Sequence, residues 1–318
     1  MWIAKPLSAL TANELLAWSQ VSKTAPIAQT LDWGRAIAAV GGSTYLVFSP
    51  EENVGGLVFS TDRRAFECIN GPLLSWDSPS AAPRQLATFA MAVSKLAPTF
   101  SSLTLRPRWD SELAEKRLSG LPIALAKTDR AATWVVPVAP TNAKQEAGFT
   151  RRFRRTLRHS QSASAEITWV PLETPESPAL TSFVEKLRVF AKAHQFFAPE
   201  LPWFKALIGT RDTLRFFHLT ARTRDRSTQL LIALHGPRAH YLFGFDEASV
   251  ASASRISTAA LAHLRALEEL RRLGVREYDL NGFAEGLEAG DSYFGVCEFK
   301  RGLGGSIERY VQPVFEIS

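Results

Sequence analysis

The stretch Ile256–Leu280, ISTAALAHLRALEELRRLGVREYDL, decides the fold. Leu261, Leu264, Leu267 and Leu270 recur at helical spacing, so Ile256 to Leu273 is predicted to be one long helix with a single buried side. Gly274 stands where a helix stop belongs, and Glu277 to Leu280 follows as a short strand. Upstream, Leu214 to Ala221, Thr228 to Leu234 and Ala239 to Gly244 carry β-branched and aromatic residues between turn signals and are predicted as strands. Before them come a strand at Ile167 to Val170, a helix from Pro178 to His194 and a second helix after Pro202.

The first half has the same plan. Thr44 to Phe48 and Val54 to Phe59 flank a turn at Pro50 to Asn53 and form a predicted hairpin. Ala65 to Ile69 is a third strand, and Leu86, Phe89, Ala90, Val93 and Leu96 give Pro83 to Leu96 helical periodicity. Strands return at Leu103 to Arg106 and Thr133 to Val138. Alternation of strands and helices in both halves predicts an α/β (α+β) protein of two similarly built domains, and 318 residues suit that number.

Composition changes abruptly at Thr141 to Ser164. Phe149, Phe153 and Leu157 recur every four residues, with Arg151, Arg152, Arg154, Arg155 and Arg158 between them, the pattern of an amphipathic basic helix. Arginine offers planar paired donors that suit phosphate oxygens, so this face is a candidate RNA-backbone contact; a solvated linker face is the alternative. The whole chain carries +6 at neutral pH, and its uneven distribution, more than its size, favours a polyanionic partner.

Several classes are set aside. Lys5, Asn13 and Glu14 interrupt the apolar run of Met1 to Ser19, and Thr11 to Glu14 has the form of a capping box, so this segment is read as an amphipathic helix and not as a leader. No apolar run approaches the ~20 residues that cross a bilayer, and a cytoplasmic location is expected. Cys68 and Cys297 have no disulfide or metal spacing, and the six histidines stand in no paired-ligand arrangement, so no metal is expected. Neither a Gly-x-Ser-x-Gly elbow nor a Cys-His pairing argues for a covalent nucleophile.

Three segments of the second half resemble the Fem family of peptidoglycan aminoacyltransferases. Tyr241-Leu242-Phe243-Gly244 matches its aromatic strand ending in glycine. The long helix, Gly274 and the strand ending Tyr278-Asp279-Leu280 match its helix–glycine–strand pattern, and Glu298-Phe299-Lys300-Arg301-Gly302-Leu303-Gly304-Gly305 is similar to its Phe-Lys-x-x-Phe-Gly-Gly signature. Gln29-Thr30-Leu31-Asp32-Trp33 echoes a further Gln-Ser-x-x-Trp motif. The resemblance implies two GNAT-like acyltransferase domains with no long coiled-coil arm, the first (1–145 plus 305–318) completed by a C-terminal strand near Ile307 to Ile317, the second spanning 146–304.

It also implies a reaction: transfer of an amino acid from aminoacyl-tRNA, as co-substrate and with no other cofactor, to an acceptor amine. The expected acceptor is the stem peptide of a peptidoglycan precursor, met at the inner membrane leaflet if lipid-linked, and the expected state is a monomer. Such an ester is already activated, so direct attack needs only positioning and stabilisation of the developing oxyanion. By the resemblance Lys300 supplies that stabilisation, Phe299 walls the terminal adenosine, and Arg301 joins the basic helix on the tRNA; on turn chemistry alone the Phe-Lys-Arg-Gly run reads as a strand end.

For the acceptor the family's arginine is missing from Phe196 to Phe204, Phe243 stands for a family Tyr on the aromatic strand, and Arg106-Pro107 stands where Asp-Pro is common. Arg35, Arg106, Tyr241, Phe243 and Trp203 are the remaining acceptor candidates, and an acceptor other than a nucleotide-linked muropeptide stays open, a small peptide or natural product being one alternative. Two others are an acyl-CoA-dependent GNAT N-acyltransferase, against which no glycine-rich pyrophosphate turn is found, and a non-catalytic RNA-binding protein.

Overall fold

A computed structural model describes residues 2–23, 25–60, 64–78, 80–97, 100–107, 109–110, 125–210, 212–248 and 256–317. The chain packs as two compact units, Met1–Ala131 with Lys205–Thr213 and Arg309–Ser318, and Ala132–Phe204 with Leu214–Glu308. The sequence-based boundaries at 145/146 and 304/305 both fall inside the second unit. No composition change marks the structural boundary, because it lies within one strand, Leu125–Pro137.

The first unit contains β1 (Ile3–Pro6), α1 (Ala12–Ser22), α2 (Leu31–Ala39), β2 (Ser43–Ser49), β3 (Val54–Ser60), β4 (Ala65–Ile69), α3 (Ala81–Ser94), β5 (Ser102–Arg106) and the short β6 (Trp109–Asp110). β7 is Leu125–Pro137. The strand order is β1-β2-β3-β4-β5, continued by the C-terminal strand β13 (Ser306–Ile317), whose Phe315 to Ile317 pair antiparallel with Leu103 to Leu105. Completion of the first domain by the last strand therefore holds. Tyr45 and Val47 enter the core under α3 while Leu46 and Phe48 enter the core under α1 and α2, the period-two alternation of a strand buried on both faces. The N-terminal expectation needs correction: Ile3 to Pro6 pair with Tyr45 to Phe48 as an edge strand, and the helix starts only after Thr11, whose capping box with Glu14 is present.

The Gln29 to Trp33 motif is structural here. Gln29, fully buried, accepts from Leu57 N at 2.8 Å and donates to Ile69 O at 2.6 Å. Asp32, equally buried, receives Thr210 Oγ1, Asp212 N, Thr213 N and Thr213 Oγ1 within 2.6–2.9 Å. That carboxylate ties the segment Lys205–Thr213 to the first unit.

The second unit holds α4 (Asn142–Gly148), α5 (Arg151–Gln161), β8 (Glu166–Pro171), α6 (Pro178–Ala193), the first turn of α7 (Leu201–Thr210), β9 (Leu214–Arg222), β10 (Arg226–His235), β11 (Arg238–Ala248), α8 (Thr258–Arg272), β12 (Glu277–Gly282) and α9 (Phe294–Gly302). Its strand order is β7-β12-β11-β10-β9-β8, with β11 and β12 the parallel pair joined through α8. The leucine stripe of α8 is buried as expected. The helix begins two residues late, with Ser257 capping the Ala260 N–H.

The run Phe299-Lys300-Arg301-Gly302 lies in α9, not at a strand end. Turn chemistry was misleading because Gly302 is the helix's last residue, with the left-handed Gly304 (φ 72°) beyond it. The helix begins at Phe294, eight residues upstream of Gly302.

Candidate active site

The site begins where two strands part. β11 and β12 pair in parallel only through Arg238–Glu277, Ala239–Tyr278 and His240–Asp279. Past that point Asn281 takes a left-handed conformation (φ 53°), which asparagine tolerates better than most residues. Its backbone N donates to Asp279 Oδ1 at 2.8 Å, and its Nδ2 donates to Tyr241 O at 2.6 Å across the gap. Thr133 Oγ1 also donates to Asp279, which is buried. Asp279, from the quoted Tyr-Asp-Leu motif, thus holds the kink.

The kink turns two backbone carbonyls toward α9. Lys300 Nζ donates to Asn281 O at 2.9 Å, to Gly282 O at 2.5 Å and to Tyr293 Oη at 3.2 Å. Tyr293 Oη in turn donates to Gly282 O at 2.9 Å. Lys300 is 5% exposed, and burial pulls its pKa from the ordinary 10.5 down to about 8, with Cys297 and Asp279 acting in the opposite sense. The ammonium is held by neutral acceptors, not by a touching carboxylate, which leaves its charge available to a developing oxyanion.

A pocket of about 280 Å³ opens beside it. Leu230, His263 and Phe299 line it from the α8 side; Phe190 and Phe245, whose rings lie 5.9 Å apart, line it from the α6 side. Both faces of the sheet therefore contribute to one cavity at the parting of β11 and β12. His263 is kept neutral: burial and then the Lys300 charge lower its pKa to about 3, and its Nδ1 lies 3.2 Å from Tyr278 Oη.

Tyr241 lines this pocket, with its ring 5.3 Å from His263 and its hydroxyl pKa raised by burial. Phe243, two residues on, does not. The β10–β11 register slips so that Leu231 faces Phe243 and Ile232 faces Tyr241, leaving Leu242 as an extra residue. That bulge sends the two aromatics to opposite faces. Phe243 packs on Trp203 and Phe204 at 6.4 and 5.4 Å, and Trp203 is buried at 5% exposure. Phe243 is partly buried, and neither it nor Trp203 lines the pocket. Gly244 is needed where it is: a Cβ there would stand 2.6 Å from Tyr241 Oη and 2.8 Å from Gln229 O.

The other two acceptor candidates are engaged within the first unit. Arg35 pairs with Asp212, and Arg106 Nε lies 2.5 Å from a Glu67 carboxylate oxygen. Opposite charge on neighbouring elements explains both, and neither guanidinium stands bare for a phosphate.

The basic segment forms two helices instead of the single one read from the sequence, because the chain is extended at Phe149 and Thr150 between α4 and α5. Phe149, Phe153 and Leu157 are buried, whereas Arg151, Arg152, Arg155 and Arg158 are exposed. Arg154 is half-buried and donates to Ala147 O at 3.1 Å. Helix α5 rests directly on α9: Phe153 lies 5.6 Å from Phe299, and a Cβ on Gly302 would meet the Phe153 ring at 2.8 Å. Arg301 pairs with Glu298 and covers the Phe283 ring at 5.1 Å, so it is less free than the α5 arginines. Tyr293, Asn281 and His263 were not singled out from sequence, and nothing about an isolated Tyr, Asn or His in a mixed segment distinguishes it.

Residues 147–301 match the family model described as Acetyltransferase (GNAT) domain. Over that part of the sequence the chain is similar to GNAT acyltransferases. Its two-domain fold is of the Fem type: the crystal structure of FemX superposes with a TM-score of 0.73 at 11% identity, covering 98% of this chain and 96% of that one. The structure of L-PGS from Bacillus licheniformis gives 0.53 at 10% identity over 95% and 91% of the two chains. A conserved protein of unknown function from Bacteroides thetaiotaomicron gives 0.55 at 10% identity over 94% and 97%. No curated protein matches by sequence. Among the described residues no helix is long and apolar enough to cross a membrane, and no group of three or more His, Cys, Asp or Glu is placed to hold a metal.

Proposed function

We propose that the protein transfers an amino acid from aminoacyl-tRNA to an acceptor amine, forming a peptide bond, with the stem peptide of a peptidoglycan precursor as the acceptor. The reading is supported by one arrangement above all: a buried ammonium at the gap between β11 and β12, on a helix packed against an exposed row of arginines. The arginine face is suited to the tRNA backbone and the pocket to the charged 3′ end. The acceptor amine, neutral, attacks the ester carbonyl; the C–N bond forms as the bond to the ribose 3′ oxygen breaks, one amine proton passes by way of solvent to that departing oxygen, and Lys300 stabilises the oxygen that gains charge. Phe299 walls the pocket beside Lys300 and supports stacking or enclosure of the terminal nucleoside. Tyr241 is the acceptor candidate that remains at the cavity.

Incubating the purified protein with charged tRNA tests this directly: the ester is consumed only when an amine acceptor is added. Replacing Arg151, Arg152, Arg155 and Arg158 together by alanine should weaken tRNA binding, and the slope of log K against log salt should fall by about 3, at roughly 0.7–0.9 per lost phosphate contact. An unchanged slope removes the helix from the RNA interface. The acetyltransferase domain match favours one second reading, acyl-CoA as donor, and calorimetric titration with acetyl-CoA decides between them.

A further inference from the structure

The pocket beside Lys300 has a composition that bears on what the donor carries. Its walls are Phe190, Leu230, Phe245, Leu280, Val296 and Phe299. Of the polar residues that line it, Thr228, Asp246, His263 and Lys300 already have partners. Thr228 and Thr258 both donate to Asp246 Oδ1, at 2.7 and 3.0 Å, and Asp246 Oδ2 lies 3.8 Å from Arg226. His263 is neutral and meets Tyr278, and Lys300 has three acceptors for its three protons. A charged side chain entering here would lose its water: a basic one meets the Lys300 ammonium, and an acidic one reaches that ammonium only by competing with the three neutral acceptors that hold it, which is costly in a low-dielectric cavity. An apolar chain loses nothing and removes wall surface from water. The volume, about 280 Å³, exceeds the ~150 Å³ of a cavity that holds benzene, so an aromatic side chain fits as well as an aliphatic one.

We propose that this pocket selects the acyl group by an apolar side chain, so that the donated residue is a large hydrophobic amino acid and not glycine, an acidic or a basic one. The proposal rests on the aminoacyl-transfer reading above. Val296 is the residue to change, since it lines the pocket and is still 42% exposed, so a polar substitution there spares the core.

Stable amide analogues of the charged 3′ end are the probes: 3′-amino-3′-deoxyadenosine acylated with L-phenylalanine, L-leucine, glycine, L-aspartate or L-lysine, titrated into the full chain by calorimetry beside acetyl-CoA. The phenylalanyl and leucyl analogues should bind at least tenfold tighter than the other three, the range expected when several methylenes find or lose a hydrophobic pocket. Val296→Asp should reduce that preference to under threefold while the melting temperature stays unchanged. Equal binding of all five analogues overturns the selectivity and leaves the aminoacyl reading standing. Binding of acetyl-CoA with none of the five overturns the aminoacyl reading, and failure of all six probes to bind overturns the pocket as a donor site.

Discussion

Lys300→Met should transfer the acyl group at about one hundredth of the native rate or less, the scale seen when one preorganised oxyanion donor is lost. Methionine keeps the length and apolar stem of lysine but removes the ammonium. Tyr293 Oη continues to donate to Gly282 O, so one of the two carbonyls released by the kink keeps a partner, and far-UV circular dichroism should be unchanged. Native turnover by a folded variant would exclude the ammonium from the reaction.

The same group sets a pH dependence. Lys300 ionises near pH 8 because burial disfavours its charged form, so a step that needs the ammonium weakens as pH rises through that value. A neutral acceptor amine favours the opposite direction, and kcat/KM should trace a bell whose falling limb lies near pH 8 and vanishes in Lys300→Met. Stability follows another sign. The folded pKa lies below the unfolded 10.5, so the fold carries a penalty below pH 8 that disappears as pH climbs from about 8 to about 10.5. Denaturant titrations at pH 7 and pH 10 should show native minus Lys300→Met stability becoming more favourable at the higher pH.

The helix-to-strand passage Ile256–Leu280 and the arginine row were legible because each is a local, periodic pattern. The buried stripe and the solvent face read from the sequence are the ones observed. The rest of the surroundings of the site was not legible for three physical reasons. Phe243 shares Tyr241's strand and parity, yet one bulged residue, Leu242, reverses its face, and no local composition announces a bulge. Arg35 and Arg106 read as available cations because their neutralising partners lie far along the chain or across a sheet. Tyr293 matters only because the kink at Asn281 brings Gly282 O within reach, a consequence of strand parting that sequence spacing does not encode. Motif resemblance did point to Lys300, but the reason it is buried among carbonyls lies in Asp279 and Asn281.

The glycine pair behind the signature carries the second large effect. Gly305→Ala should lower the stability of the second unit by roughly 3 kcal/mol or more, the combined scale of a forced left-handed backbone and of overpacking. Gly305 has φ 88°, and a Cβ there would lie 2.2 Å from Val135 O and 2.9 Å from Val136 Cα, both on β7. Neither is the end of a flexible side chain, so the backbone itself must shift. Gly304 is comparably confined, with φ 72° and a Cβ 2.3 Å from Gly148 O, and its own carbonyl accepts from Trp134 Nε1 at 2.6 Å. These contacts fix the exit of α9 against β7 and the end of α4, and α9 is the helix that carries Lys300. At roughly 2–4 °C per kcal/mol for a unit of this size, thermal denaturation should show a fall of about 6–12 °C. The accompanying loss of transfer should be recovered at temperatures below the new transition, because the substitution moves the helix without removing the ammonium. By contrast Gly295→Ala, at a position where a Cβ meets nothing within 4 Å, should leave the melting temperature within about 2 °C of native, since it only exchanges a weaker helix former for a stronger one. Equal effects at 295 and 305 would mean that the signature glycines serve no steric purpose.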